Sequence, residues 1–300
     1  MNVIECKELS KVYGNTNAIE DLSFTIEENK ITGLIGRNGA GKTTLLKILA
    51  GYLHKSTGEV NVLTEDPFNS LKVSSNMIFI DDQMTLPESL TLLEILHSAK
   101  MFYKNWDMDL ALRLFRYFSF HDNQLHGSLS KGMRSTFNAI VGLSARCKLT
   151  ILDEPTTGMD SSVRKDFYRA LLKEYIDHPR TIIISSHLLN EIEDLLEDVL
   201  LIKEGNLLLH KSVDELKEMA IGLKGKSNVI KEIIQGKEVF YRNTVGKDTT
   251  YVAVENSFPN ELLQRAKENG IEISSVPTDD LCVYLTNRTK GGIDDVFNRN

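Results

Sequence analysis

The stretch GRNGAGKT, Gly36–Thr43, follows the apolar run Ile31–Ile35 and continues into the helix-like segment Lys42–Gly51. It fits the pattern G-x-x-x-x-G-K-[ST], whose glycines let the backbone turn tightly and aim N–H groups at a phosphate. The positive end of the following helix favours the same anion. Strand, loop and helix in this order favour a phosphate-binding loop over a chance glycine-rich turn. The residues expected to hold nucleotide phosphates are Gly36, Asn38, Gly39, Ala40, Gly41, Lys42, Thr43 and Thr44.

A second motif, LTILDE at Leu149–Glu154, is an apolar strand that ends in two carboxylates. Where such a strand accompanies a phosphate loop, the loop Lys reaches the β- and γ-phosphates, and a Thr hydroxyl and the strand-end Asp hold Mg²⁺. We therefore expect Lys42 to contact phosphate, and Thr43 and Asp153 to bind Mg²⁺. Glu154 is placed to polarise an attacking water as general base. Taken alone, the two acids are equally typical of a turn after a core strand.

Apolar strands alternate with helical segments along most of the chain, which predicts an α/β fold with a largely parallel sheet. Apolar residues at helical spacing predict an inserted helical subdomain at about 84–145. The predicted strands are Val3–Leu9, Leu22–Ile26, Ile31–Ile35, Met77–Ile80, Leu149–Leu152, Thr181–Ser185, Val199–Ile202 and Leu207–His210. The predicted helices are Lys42–Gly51, Leu90–Met101, Leu110–Phe118, Phe137–Ser144 and Val163–Ile176.

The organisation changes after about residue 220, where the Gly/Lys-rich stretch Ile221–Lys226 is typical of a linker. We expect two domains, residues 1–220 and a small α+β domain at 221–300. The elements predicted in the second are strands at Glu238–Arg242, Thr250–Val254, Ile271–Ser275 and Leu281–Thr286 and a helix at Asn260–Asn269. Asp279, Asp280 and Gly291-Gly292 are typical of turns.

Composition excludes several classes of protein. The net charge of −7 argues against sequence-blind binding of nucleic acid, which needs a basic face. The three cysteines, Cys6, Cys147 and Cys282, form no CxxC pair, so we expect reduced thiols and no zinc site. Neither a signal peptide nor a run of about 18 apolar residues is evident, so a partner would have to supply any membrane span.

Several short motifs in residues 1–215 resemble, in order, those of the nucleotide-binding subunits of ABC transporters. They are Tyr13 in KVYG, Gln83 after the strand Met77–Ile80, LSKGM at Leu129–Met133, PTTGMD at Pro155–Asp160 and His187 in SSH. The resemblance implies a P-loop NTPase core of the ABC ATPase type with an inserted helical subdomain, followed by the small C-terminal domain.

The resemblance also implies residue roles. Tyr13 would stack on adenine, Gln83 would sense Mg²⁺ and contact a transmembrane partner, and His187 would contact the γ-phosphate. The segment Gln83–Met101 would carry the contact with that partner. Plainer alternatives are that Tyr13 covers a strand edge, that Gln83 is an exposed loop residue and that His187 is structural.

The LSKGM signature departs from the family's usual LSGGQ, because Lys131 replaces a Gly and Met133 replaces a Gln. Ser130 and Gly132, which supply a hydroxyl and a close backbone approach, are retained, and with Asp160 they are expected to contact nucleotide. Ser130 also suits the N-cap of the next helix. Lys131 is compatible with holding phosphate or with pointing to solvent. The variant resembles bacterial ABC-2 exporters of the acetoin-utilisation and antibiotic-resistance groups.

The resemblance implies an ATPase that uses ATP and Mg²⁺. Two subunits, as a homodimer or heterodimer, would face head to tail and drive a separate permease, with export expected, at the cytoplasmic face of the membrane. One alternative is a soluble ABC ATPase acting on ribosomes or DNA; the single ATPase unit and the lack of long coiled coils argue against it. Another is a nucleotide-gated regulatory module with little turnover, which the altered signature permits but Glu154 and His187 disfavour. Residues 221–300 are compatible with regulation, dimer contact or a spacer.

Overall fold

The computed structural model describes residues 1–245 and 248–287 of a chain that divides into two compact units, Met1–His210 and Lys211–Asn300. The domain boundary predicted at residue 220 therefore lies inside the second unit. Within the described residues, none of the helices has the length and apolar character that a membrane span requires.

The first unit is built on two sheets. Its strands are β1 Asn2–Tyr13, β2 Thr16–Glu27, β3 Ile31–Ile35, β4 Thr57–Val62, β5 Met77–Ile80, β6 Leu149–Asp153, β7 Thr181–Ser186, β8 Asp198–Lys203 and β9 Asn206–Ser212. One sheet has the order β5-β6-β7-β3-β8-β9, and the pairs from β5 through β8 are parallel. The other, β2-β1-β4, is antiparallel. The predicted α/β architecture with a largely parallel sheet is confirmed.

Strands β3, β5, β6 and β7 are buried at every residue. Because both faces of the parallel sheet are covered, these strands are mostly apolar and show no alternation of buried and exposed residues. Their parallel register brings their carboxyl ends to one edge of the sheet. The residues that follow Ile35, Ile80, Leu152 and Ile184 therefore meet there, and most of the predicted site lies in those segments.

The helices of the first unit are α1 Lys42–Leu49, α2 Leu71–Asn76, α3 Leu92–Phe102, α4 Met108–Tyr117, α5 Lys131–Ser144 and α6 Ser161–Asp177. Helices α3, α4 and α5 form the predicted helical insertion. The side chains of Asp107 and Ser130 cap the starts of α4 and α5. The rings of Phe115, Phe120 and Phe137 pack together, which fixes α4 against α5.

The second unit contains a four-stranded antiparallel sheet in the order β11-β12-β10-β13. Its elements are α7 Val213–Glu218, β10 Ala220–Lys226, α8 Ser227–Ile233, β11 Val239–Val245, β12 Thr249–Glu255, α9 Asn260–Glu268, β13 Glu272–Ser275 and α10 Thr278–Thr286. The chain order β10-α8-β11-β12-α9-β13 is a split βαβ arrangement of the ferredoxin-like kind. Its core is formed by Leu223, Ile230, Val252, Val254, Ala266 and Ile271.

The prediction of a linker at Ile221–Lys226 was wrong, because these residues belong to β10, which pairs with β12 on one side and β13 on the other. The glycines that suggested flexibility permit close packing instead. A Cβ on Gly222 would lie 2.9 Å from the Tyr251 ring, and one on Gly225 would lie 2.3 Å from Ile271 Cδ1. These glycines therefore mark a crowded central strand.

The prediction of a strand at Leu281–Thr286 was also wrong, since the segment is the end of α10. Asp279 and Asp280, predicted as turn residues, lie in the first turn of that helix, where acidic side chains are favourable. Leu281 and Cys282 are buried side by side, which a short apolar run permits in either a helix or a strand. The turn predicted at Gly291-Gly292 lies outside the described residues.

Candidate functional site

The loop between β3 and α1 requires glycine at two crowded positions. A Cβ on Gly36 would lie 2.6 Å from Ile202 O, and one on Gly41 would lie 2.5 Å from Ala18 O. Gly41 also has a φ of +105°, a conformation that other residues rarely adopt. No side chain in the described residues caps the start of α1. The N–H groups of its first turn are therefore available to an anion.

Lys42, the first residue of α1, is only 6% exposed, so its ammonium needs partners inside the protein. Its Nζ donates to Gly36 O at 2.7 Å and lies 3.2 Å from Glu154 Oε1. One partner follows β3 and the other follows β6, so the parallel sheet determines where the cation lies. A buried positive charge beside the N–H groups of the loop favours phosphate at this edge.

Asp153 and Glu154 are held by one residue of the neighbouring strand. Asp153 ends β6, is 6% exposed and lies opposite Ser185 of β7 in the parallel register. The Ser185 hydroxyl donates to Asp153 Oδ1 at 2.5 Å and accepts the Glu154 backbone N–H at 2.8 Å. A single hydroxyl therefore orients the first carboxylate and fixes the backbone of the second.

Glu154 leaves the sheet with a φ of +45°, a left-handed conformation that costs a non-glycine residue about 1–3 kcal/mol. Ser185 holds its N–H, and the Thr157 hydroxyl donates to its carbonyl oxygen at 2.8 Å. Its side chain lies between two basic groups, because Oε1 faces Lys42 and Oε2 is 3.0 Å from His187 Nδ1. The left-handed turn thus places the carboxylate beside both Lys42 and His187, the residue predicted to contact the γ-phosphate.

The residues present suit a magnesium ion that also binds phosphate. Asp153 offers carboxylate oxygen at the sheet edge, and Thr43 is exposed on the first turn of α1. Within the described residues, no group of three or more His, Cys, Asp or Glu side chains forms a metal cage by itself. Mg²⁺ takes one or two protein ligands and completes its shell with phosphate and water, so a sparse donor set is what it requires.

Gln83 is exposed and lies beside α1. Its Oε1 is 3.5 Å from Lys47 Nζ, and its backbone N–H donates to Asp81 Oδ1 at 3.1 Å. Lys47 also lies 3.9 Å from Asp81 Oδ2. Burial raises the pKa of Asp81, while the charge of Lys47 opposes that shift. The segment after β5 is therefore attached to the helix that begins at the phosphate loop.

The signature residues lie at the start of α5. The Ser130 hydroxyl accepts the Met133 N–H at 3.3 Å, as expected of an N-cap. Gly132 packs against the loop after β6, and a Cβ on it would lie 2.2 Å from Gly158 O. Asp160 closes the same loop by accepting two N–H groups at the start of α6. The signature and the loop Pro155–Asp160 thus form one packed surface.

Tyr13 ends β1 and is 48% exposed. Lys11 Nζ lies 5.0 Å from the ring centroid, within the range of a cation–π contact. An exposed aromatic face is compatible with stacking on a base, and this role of Tyr13 stays a prediction.

The structure brings Lys42, Glu154 and His187 into direct contact and joins Asp153 to them through Ser185. It places Gln83 beside α1 through Lys47. Ser130 bonds to the first turn of α5, Gly132 packs against Gly158, and Asp160 caps α6. Within the part of the chain that the structure describes, none of these three residues forms a hydrogen bond or ion pair with Gly36–Thr43.

Ser185 is the site residue that sequence reasoning missed. The only signal was its position in the SSH stretch, two residues before His187 at the end of an apolar strand. Its bond to Asp153 spans 32 residues of chain and depends on the strand register. No local pattern in the sequence encodes such a contact.

Comparison with known proteins places this arrangement among nucleotide-binding cassettes. The family described as "ABC transporter" matches residues 19–157, and an AAA domain family described as "putative AbiEii toxin, Type IV TA system" matches 122–193. The chain is 32% identical over 220 residues to the bacitracin transport ATP-binding protein BcrA of Bacillus licheniformis, which covers 72% of each chain.

It is also 30% identical over 225 residues to the SkfA peptide export ATP-binding protein SkfE of Bacillus subtilis (strain 168), covering 73% of this chain and 93% of SkfE. Among solved structures, the ATP-binding cassette MJ0796, in a dimeric post-hydrolysis state with ADP and Pi, is similar in fold. Its TM-score is 0.62 at 20% identity, with 70% of this chain and 98% of that chain covered.

Proposed function

Because this chain belongs to the family of ABC transporter ATP-binding proteins and is an ATPase, we propose that its hydrolysis of ATP drives a separate membrane permease in the direction of export. The observation that carries the proposal is the position of Glu154 between Lys42 and His187 at the carboxyl edge of the sheet. One bound ATP could therefore meet the proposed base, Glu154, together with Lys42 and His187, which would contact its phosphates.

In the proposed reaction Glu154 accepts a proton from the attacking water. Lys42 and His187 stabilise charge on the transferring phosphoryl group, and the glycine loop and the start of α1 hold the other phosphates. Mg²⁺, held through Thr43 and Asp153, would neutralise charge on the phosphates when it is bound. Gln83 would sense this ion, and Tyr13 would stack on the adenine.

A second ATPase subunit is needed to enclose the triphosphate. Ser130 and Asp160 are exposed, and Gly132 between them is half-buried against the loop Pro155–Asp160 of its own chain. This leaves the signature able to face another chain's nucleotide. We propose a head-to-tail pair, a homodimer or heterodimer, in which the signature of each chain covers the ATP of the other. The dimeric state of the similar cassette supports this arrangement.

The permease contact is assigned to a groove beside Gln83. The groove has a volume of about 570 Å³, and its lining includes Leu71, Met84, Leu86, Pro87, Leu90 and Phe102. Leu71 is 85% exposed and Phe102 73%, which is unusual for large apolar side chains. An amphipathic cytoplasmic helix of a permease fits such a groove. The chain would thus be held at the cytoplasmic face of the membrane. Its similarity to SkfE, a peptide export ATP-binding protein, favours export.

Phosphate release by the purified chain with Mg·ATP tests the catalytic part of the proposal. We expect Lys42→Met to lose ATP binding and turnover, while Lys165→Met, an exposed lysine on α6, retains both. Turnover that survives the loss of the Lys42 ammonium would contradict the proposed site.

Co-purification with a candidate permease tests the groove. We expect Leu71→Asp and Phe102→Asp to abolish association and its stimulation of turnover while basal turnover is unchanged. Ile176→Asp changes an apolar residue of α6 that is 66% exposed, and it is the matched control. Association that tolerates both groove substitutions would place the permease elsewhere.

A further inference from the structure

The segment Asp81–Gln83 lies between lysines from two different helices. On one side Lys47 of α1 contacts Asp81 and Gln83. On the other side the Nζ of Lys131, the first residue of α5, lies 3.2 Å from Asp82 Oδ2. One short segment is therefore attached both to the helix that begins at the phosphate loop and to the helix that begins at the signature.

The Lys131 side chain is directed to Asp82 by local packing. A Cβ on Gly158 would lie 3.2 Å from Lys131 Cγ, so the glycine leaves the space along which the aliphatic part of the lysine runs. Lys131 is 61% exposed and Asp82 44% exposed, so both charges keep much of their hydration. Such a pair forms at little desolvation cost and is correspondingly weak.

We propose that Asp82 is a positioning residue for the ATPase reaction, which holds the start of α5 in place through Lys131. The proposal rests on the proposed function, in which Ser130 and Gly132 cover the triphosphate of a facing subunit. A signature that is correctly placed before it meets nucleotide loses less freedom on binding, so less ATP is needed. Exposed ion pairs of this kind shift a local equilibrium by about 1.5- to 5-fold.

Hydrogen exchange of the intact chain tests whether the ion pair of Asp82 with Lys131 holds the start of α5. We expect Asp82→Asn and Lys131→Met each to speed amide exchange across Leu129–Met133 by about 1.5- to 5-fold. The double variant should exchange no faster than either single variant, because each removes the same contact. Glu88→Gln, an exposed acid in the same loop, is the matched control. An amide exchange rate that is unchanged in Asp82→Asn, or additive effects in the double variant, would show that this ion pair does not hold the start of α5.

Steady-state turnover tests the positioning role. We expect Asp82→Asn to raise the KM for Mg·ATP by about 1.5- to 5-fold with a smaller change in kcat, since the lost interaction affects binding of substrate and transition state alike. Asp82→Glu should restore the KM, and Asp82→Asn should have no further effect in a Lys131→Met background. Faster amide exchange with an unchanged KM for Mg·ATP would leave the ion pair in place and overturn its role in positioning the signature. Absence of turnover in the unsubstituted chain would overturn the proposed function and this role with it.

Discussion

Lys42 Nζ lies 3.2 Å from Glu154 Oε1, so the cation of the phosphate loop and the carboxylate that follows β6 form an ion pair at the centre of the site. His187 contacts the other oxygen of the same carboxylate at 3.0 Å. The three side chains come from the ends of α1, β6 and β7, and the parallel sheet brings them together. The same carboxylate is oriented on both sides, which suits a base that must point at one water molecule.

Replacing Glu154 by Gln removes the proposed base and keeps the shape of the side chain. We expect turnover to fall by about 10²- to 10⁴-fold, the usual contribution of a general base, while ATP still binds. Because hydrolysis reopens the proposed dimer, an ATP-bound pair of subunits should accumulate. Phosphate release and size-exclusion chromatography with ATP measure the two effects, and Glu88→Gln is the control. Near-normal turnover would remove Glu154 from the role of base.

Ser185→Ala removes the hydroxyl that orients Asp153 and holds the backbone of Glu154. Loss of a residue that orients a metal ligand typically weakens metal affinity by about 10- to 100-fold. We therefore expect the Mg²⁺ concentration for half-maximal turnover to rise by that factor. Ser186→Ala, whose hydroxyl contacts Leu188 instead, is the matched control. An unchanged Mg²⁺ requirement would show that Ser185 does not orient a magnesium ligand.

Gly132→Ala places a methyl group where the Gly158 carbonyl oxygen lies 2.2 Å away, so one backbone must shift. Overpacking of this kind costs about 1–3 kcal/mol in the free energy of unfolding, and the displaced signature should also raise the KM for ATP. Urea unfolding and turnover measure the two effects. In the same region a Cβ on Gly127 would meet no atom within 4 Å, so Gly127→Ala is the control. Equal free energies of unfolding and equal KM values for the two variants would contradict the close approach of Gly132 to Gly158.

The sequence predicted the parts of the fold that depend on local pattern. The strands around Ile31–Ile35 and Met77–Ile80 were placed at their observed bounds, because a buried parallel strand is a continuous apolar run. The apolar run Leu281–Thr286 did not distinguish a strand from the helix that is observed, because either element can bury the same residues. The glycines of Ile221–Lys226 led to the wrong prediction of a linker, because flexible segments and closely packed strands both favour glycine.

In the candidate site, too, local motifs were predictable from the sequence and long-range contacts were not. Residues carried by contiguous motifs, such as Lys42 and Glu154, were predicted from those motifs together with the apolar strands that precede them. Contacts that cross the fold were not, because they depend on which strands and helices become neighbours. The bridge from Ser185 to Asp153 needs the register of β6 with β7, and the pair of Lys131 with Asp82 needs the position of α5 beside the loop after β5.

His126 provides a prediction about stability that is separate from catalysis. It is 4% exposed in the turn before the signature, and its Nε2 lies 2.8 Å from Oδ1 of the buried Asn138 on α5. Burial lowers the pKa of His126, the charge of Arg134 adds to this, and the Asn138 hydrogen bond opposes it. The folded protein therefore keeps this ring neutral at a pH where the unfolded chain, with a pKa near 6.5, takes up a proton.

Between these two pKa values the unfolded state binds more protons, so the free energy of unfolding falls as the pH falls below about 6.5. His126→Gln removes this titration and keeps a side chain that can donate to Asn138. We expect the unsubstituted chain to lose stability relative to the variant on acidification, by at most about 1.4 kcal/mol per pH unit. Urea unfolding at pH 7.5, 6.5 and 5.5 measures the difference, in which contributions from other groups cancel. Parallel stability profiles for the two proteins would show that the folded state accepts the proton at His126.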